Sequence, residues 1–257
     1  MNGRTAIITG ASRGLGYEFS KILAKEKTNL VLVSRSENRL FEIKEELENK
    51  YGIQVHVCAL DLSVVDAAKQ VYAFTERLNL QIDILINNAG YGDSCSFASC
   101  DWDRQYRMIQ LNNIALMQMT YYYLPSMIEQ GYGKILNVAS VAAFSAGPYM
   151  ACYFASKAFV MSFSEAISEE TKGTGVTVTA LCPGPTHTGF QKAANLPEDA
   201  RMFRKADNAK DVAQAGIDAM EKGKALCYYG LFTKVRGVLR YLLPRYITRK
   251  YAKLLTR

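Results

Sequence analysis

Tyr153 and Lys157 stand four residues apart in a helical stretch, so their side chains rise on one face. An ammonium held beside a phenol favours the phenolate and draws the tyrosine pKa down from its free value of about 10. The spacing therefore predicts that Tyr153 exchanges a proton near neutral pH. Ser140 lies thirteen residues upstream.

A second group of residues suits a phosphate. Gly10-Ala11-Ser12-Arg13-Gly14-Leu15-Gly16 separates a short apolar strand, Thr5 to Thr9, from a helical pattern reaching about Lys25. A glycine-rich turn at that place presents backbone N–H groups and a helix N-terminus to an anion. The spacing is Gly-x3-Gly-x-Gly rather than the general Gly-x-Gly-x-x-Gly. The second strand, Asn29 to Ser34, ends on Ser34-Arg35 with no acid to take a ribose 2′-hydroxyl. Arg35, Arg13 and Arg39 offer guanidinium groups that suit the 2′-phosphate of NADP, so NADP(H) is expected over NAD(H).

The elements that position these groups alternate. Further strands are expected at Val55–Ala59, Ile82–Ile86, Lys134–Val138, Val176–Leu181 and near Ala225–Tyr229. Helices are expected over Glu37–Tyr51, Asp66–Leu78, Trp102–Gln130 with Pro125 kinking or dividing it, and Cys152–Thr171. This predicts an α/β fold: one Rossmann-type, doubly wound parallel sheet of about seven strands with helices on both faces. The domain is expected to span residues 1–232, followed by a basic amphipathic tail over 233–257.

With 257 residues, 49% hydrophobic, the chain can build one large core without a disulfide. Its six cysteines lack CxxC spacing, and reduced thiols in a cytoplasmic protein are expected. No leader sequence or apolar run of spanning length stands out. The net charge of +7 resides in the tail. Of 31 basic residues, eight fall in 233–257 with no acid, leaving 23 against 24 acidic residues elsewhere. A nucleic-acid-binding face on the main fold is therefore not expected.

Taken in order, these motifs resemble a classical short-chain dehydrogenase/reductase over nearly the whole length. The matching residues are Thr9-Gly10-x3-Gly14-x-Gly16, Asp61 after the third strand and Asn87-Asn88-Ala89-Gly90 after the fourth. An asparagine in the long helix, Ser140, Tyr153-x3-Lys157 and Pro183-Gly184 complete them. The resemblance implies that Asp61 and Leu62 meet the adenine, and that Asn88, Ala89 and Gly90 line the adenosine ribose side. It gives Pro183, Gly184, Thr186 and Thr188 the nicotinamide. It assigns Lys157 the nicotinamide ribose and Ser140 the substrate oxygen. It favours Asn112 over Asn113 as the relay residue, because relatives place this asparagine 28 residues before the serine. The implied enzyme is an NADP(H)-dependent ketone reductase or alcohol dehydrogenase, working as a homodimer or homotetramer. A 3-oxoacyl thioester reductase and a non-enzymatic NADP sensor are the alternatives.

In relatives the segment 189–207 is the substrate lid. Here Phe190, Leu196, Met202 and Phe203 make it apolar, and Tyr91, Ala142 and Tyr149 are expected to add wall. A lipophilic substrate such as a hydroxysteroid follows. The tail carries apolar stripes at Val235, Val238, Leu239, Leu242 and Leu243, then Ile247, Tyr251, Leu254 and Leu255. Three uses remain open for it: peripheral membrane contact, docking of an acidic acyl carrier protein, or packing over the substrate cleft or a partner subunit.

Overall fold

The computed structural model describes residues 3–197, 200, 203–230, 233–235, 237 and 244–255. Strands β1 (Thr5–Thr9), β2 (Asn29–Ser34), β3 (Val55–Ala59), β4 (Ile84–Asn87), β5 (Gly133–Val138), β6 (Val176–Cys182) and β7 (Leu226–Tyr228) form one parallel sheet. Its order is β3-β2-β1-β4-β5-β6-β7. The order reverses between β1 and β4, the place where such sheets open a crevice at their carboxyl ends.

Both faces of the sheet are covered, so a central strand such as β2 is apolar and buried continuously from Leu30 to Val33 rather than alternately. On β1, Ala6 and Ile8 point to one core with Phe19 and Leu23 of α1 (Gly14–Lys25), Leu40 and Ile43 of α2 (Glu37–Tyr51), and Val212 and Ile217. Ile7, between them, points to the other core with Val71 of α3 (Ala67–Arg77) and Met119, Tyr123 and Met127. The two-residue period of a strand thus divides the molecule into two layers.

The expected long helix is interrupted, but not at Pro125. It runs as α4 (Trp102–Ile109), a π-helical turn over Gln110–Ala115, and α5 (Leu116–Glu129), with Pro125 inside α5. The wide turn lets two consecutive asparagines face inward: Asn112 and Asn113 are both buried. The side chain of Asp101 caps α4 by accepting from the N–H groups of Asp103 and Arg104. Then follow α6 (Ala151–Glu170), the single turn α7 (Phe190–Ala193), α8 (Ala209–Glu221), which carries Val212 and Ile217, and α9 (Arg245–Leu255).

One expectation, of reduced cysteines throughout, is corrected. Cys95 and Cys100 form a disulfide. A 3₁₀ turn at Phe97–Ser99 folds the loop back and brings their Cα atoms to 5.5 Å, which lacked any CxxC signature. In the tail, whose use the sequence leaves open, the described apolar side chains of α9 divide between core and solvent. Ala252 is buried, whereas Ile247 and Leu254 face solvent. Val235 is also exposed; Val238, Leu239, Leu242 and Leu243 lie outside the described residues, as do the side chains of Tyr251 and Leu255. Met202 of the expected lid likewise falls outside them. Among the described residues no helix is long and apolar enough to cross a membrane.

Candidate active site

A cleft of about 1000 Å³ opens at the carboxyl ends of the strands. At its base is the loop after β1. Gly16 packs so closely that a Cβ there would lie 2.2 Å from the Gly10 carbonyl oxygen. Gly14 has φ +56° and faces the Thr188 side chain. Asn88 braces this loop by donating from Nδ2 to the Thr9 carbonyl at 2.8 Å, while the Thr9 hydroxyl accepts from the N–H groups of Asn88 and Ala89. The result is a cradle of bare backbone at a helix N-terminus, which fits a pyrophosphate. Gly16→Ala is expected to weaken dinucleotide binding more than tenfold and to cost about 1–3 kcal/mol of stability. Titration of NADPH fluorescence and a thermal melt would read both.

Gly10, Ser12, Arg13, Gly14 and Leu15 line the cleft, as do Arg35, Arg39, Asp61, Leu62, Asn88, Ala89 and Gly90. So do Pro183, Gly184, Thr186 and Thr188; Gly16 is buried behind Gly10. Arg35 is exposed, with its guanidinium 3.9 Å from the Asp61 carboxylate. Asp61 also accepts from the N–H and hydroxyl of Ser63, at 2.9 and 2.7 Å. Arg39 is held by Glu42 at 2.6 Å and lies over the Tyr17 ring. Of the two, Arg35 therefore keeps more freedom to meet an anion.

Ser140, Tyr153 and Lys157 line the same cleft, and all three are buried. The electrostatics differ from the expectation drawn from spacing. Burial pushes the Tyr153 phenol up to about 12, and a hydrogen bond with Ser140 opposes this. Burial also lowers Lys157 to about 8. Its Nζ donates to the Val138 carbonyl at 2.8 Å and sits 6.0 Å from the Tyr153 ring centre. Desolvation is the leading cause of both shifts.

Asn112 does not line the cleft; it holds the wall from behind. Its Oδ1 accepts from the Tyr91 N–H at 3.1 Å, and its Nδ2 donates to the Tyr91 carbonyl and the Ser156 hydroxyl, each at 3.0 Å. A Cβ on Gly90 would lie 2.9 Å from Asn112 Oδ1 and 3.5 Å from Lys157 Nζ, so both groups converge on that glycine. Asn113 instead donates to the Ser156 carbonyl at 2.9 Å and anchors α6.

The substrate end is apolar. Phe190 tilts against Tyr153 with ring centres 5.2 Å apart, and Tyr91 and Ala142 line the cleft beside them. Tyr149 does not. It adopts φ +65° and lines a separate depression with Ser96, Phe97 and Pro148. Sequence reasoning missed Met150, Arg107 and Ala252 in the lining. It also missed a buried carboxylate that ties the lid down. Asp93 accepts from Arg104 Nε at 2.7 Å, Gln105 Nε2 at 2.6 Å and Asn195 Nδ2 at 2.9 Å. No local pattern marks these residues, because the carboxylate and its partners come from three separate segments: the loop after β4, α4 and the stretch after α7.

Known proteins resemble this chain in sequence and in fold. The sequence model of the short chain dehydrogenase family matches residues 4–199. The chain belongs to that family. A 7beta-hydroxysteroid dehydrogenase of Mediterraneibacter gnavus is 32% identical over 223 residues, covering 86% of this chain and 84% of the relative. The ketoacyl reductase HetN of a Nostoc species is 34% identical, over 86% of this chain and 76% of its own. The solved structure of a short-chain dehydrogenase from Sphingobium yanoikuyae in complex with NADPH superposes with a TM-score of 0.84. That pair is 27% identical and covers 93% of this chain and 94% of the other. As a short-chain dehydrogenase the protein is an oxidoreductase that uses a nicotinamide dinucleotide, and the glycine cradle is where this chain fits one.

Proposed function

We propose that this short-chain dehydrogenase moves hydride between NADP(H) and a lipophilic ketone or secondary alcohol, a hydroxysteroid being the favoured class. One observation carries the reading: a buried phenol and hydroxyl, Tyr153 and Ser140, set among Tyr91, Ala142, Met150 and Phe190. A polar pair in an apolar wall suits a single carbonyl oxygen on an otherwise greasy molecule. The hydroxysteroid dehydrogenase relative supports the same class.

When bound, the nicotinamide supplies or accepts the hydride. Ser140 holds the substrate oxygen. Tyr153 donates its proton to that oxygen in reduction and removes it in oxidation. Lys157 in its cationic form stabilises the phenolate and holds the nicotinamide ribose. Asn112 fixes Tyr91 and, through the free lone pair of Oδ1, positions a water that returns the proton by way of Lys157. Phe190, Leu196 and Phe203 cover the substrate end, and Asp93 holds Asn195 of the same stretch in place.

NADP(H) is favoured by Arg35, which lines the cleft beside Asp61 where β2 ends without an acid to take the ribose 2′-hydroxyl. Arg35→Asp is expected to lower the NADPH-to-NADH ratio of kcat/KM about 10- to 100-fold, the loss of a charge-assisted contact together with a new repulsion. Steady-state rates with each dinucleotide would measure it.

A 3-oxoacyl thioester reductase is the second reading, favoured by the ketoacyl reductase relative. NADPH consumption against steroid ketones and 3-oxoacyl thioesters separates the two by which class gives the higher kcat/KM. A protein that only senses NADP would bind NADPH and turn over neither.

A further inference from the structure

We infer that the outward face of α9 docks on an anionic lipid surface. The helix has an inner and an outer side. Ala252 is buried among Met150, Tyr153, Phe154 and Phe203 and lines the substrate cleft. At 100° per residue, the side opposite Ala252 carries Lys250, Leu254 and Ile247, with Tyr246 and Lys253 on its flank and Arg249, also exposed, nearer the inner side. A helix packed on its domain normally turns polar groups to water. Here Tyr246, Ile247 and Leu254 are 57%, 40% and 69% exposed, beside Lys250 and Lys253 and with Arg249 at the edge of the same exposed surface.

The charge on this face is not compensated locally. Residues 233–257 contain no acid, and no ion pair joins Arg249, Lys250 or Lys253 to a described residue. The same three cations rim the depression formed by Ser96, Phe97, Pro148 and Tyr149, and Phe97 is 63% exposed. Cations beside outward-facing apolar side chains match the boundary of an anionic bilayer, where ammonium and guanidinium groups meet phosphates and apolar groups enter the acyl layer. A nucleic acid would satisfy the cations and leave Ile247 and Leu254 without a partner. A lipid surface satisfies both. It also places the inner side of the same helix, and so the cleft, next to a reservoir of lipophilic molecules.

The test is sedimentation of the full chain with vesicles of phosphatidylcholine alone and of phosphatidylcholine with phosphatidylglycerol. Binding is expected only to the anionic vesicles and is expected to weaken with added salt. Arg249→Glu, Lys250→Glu and Lys253→Glu together should weaken it roughly a hundredfold or more. Leu254→Ser, at an exposed position that folding does not need, should weaken it several-fold while leaving the thermal melt unchanged. No sedimentation with anionic vesicles at low salt would overturn the proposal. So would binding that the substitutions leave intact, or self-association through this face in place of vesicle binding.

Discussion

Tyr153→Phe is expected to lower kcat for ketone reduction about 10²–10⁴-fold, the usual contribution of a positioned general acid. NADPH affinity should change little, because the ring keeps its packing against Phe154 and Phe190. The fold should survive as well. The substitution removes one oxygen and its hydrogen bond with Ser140 from a site that otherwise packs aromatic on aromatic. Stopped-flow turnover, NADPH titration and a thermal melt on the same preparation would separate these effects. Full turnover in the variant would remove Tyr153 from the chemistry.

Lys157→Met is expected to act on turnover and stability in opposite directions. Turnover should collapse, since the cation that stabilises the phenolate is gone. The protein without dinucleotide should become more stable at pH 7, by about 1–3 kcal/mol, because burying an ammonium that makes one backbone hydrogen bond costs more than burying a thioether. The sign with pH follows from linkage. Lys157 titrates at about 8 folded against 10.5 unfolded, so the unfolded chain binds more protons between those values. Stability of the parent protein then rises with pH across that window through this group, and the gap between variant and parent narrows. Denaturant midpoints at pH 7 and pH 10 would show it. The same titration predicts that reductive kcat/KM of the parent declines above about pH 8, as Lys157 loses its charge.

These electrostatics were the part of the site least visible in the sequence. The i, i+4 spacing placed Tyr153 and Lys157 together, but it carries no information on depth. Both prove to be buried in the wall of the cleft, and desolvation is the leading cause of each shift. The sheet was far more legible. Short β-branched stretches such as Asn29–Ser34 and Val176–Leu181, bounded by polar or glycine-bearing segments, read as strands, and each lies within a residue of its observed bounds. The interruption of the long helix was misplaced at Pro125, a residue that breaks helices in general. Here it falls at Gln110–Ala115, where Asn112 bonds Tyr91 and Asn113 bonds Ser156. Tertiary partners decide that turn, and a local propensity cannot foresee them. The Cys95–Cys100 bridge and the Asp93 latch were missed for the same reason.

The central claim is hydride transfer to a lipophilic ketone through the Ser140, Tyr153 and Lys157 site. NADPH carrying deuterium at the transferable position of its nicotinamide tests it most directly. Incubated with the protein and a steroid ketone, it should deliver one deuterium to the carbinol carbon of the product, seen by mass spectrometry, and Tyr153→Phe should abolish that label. NADPH binding without transfer to any ketone or 3-oxoacyl thioester would contradict the account.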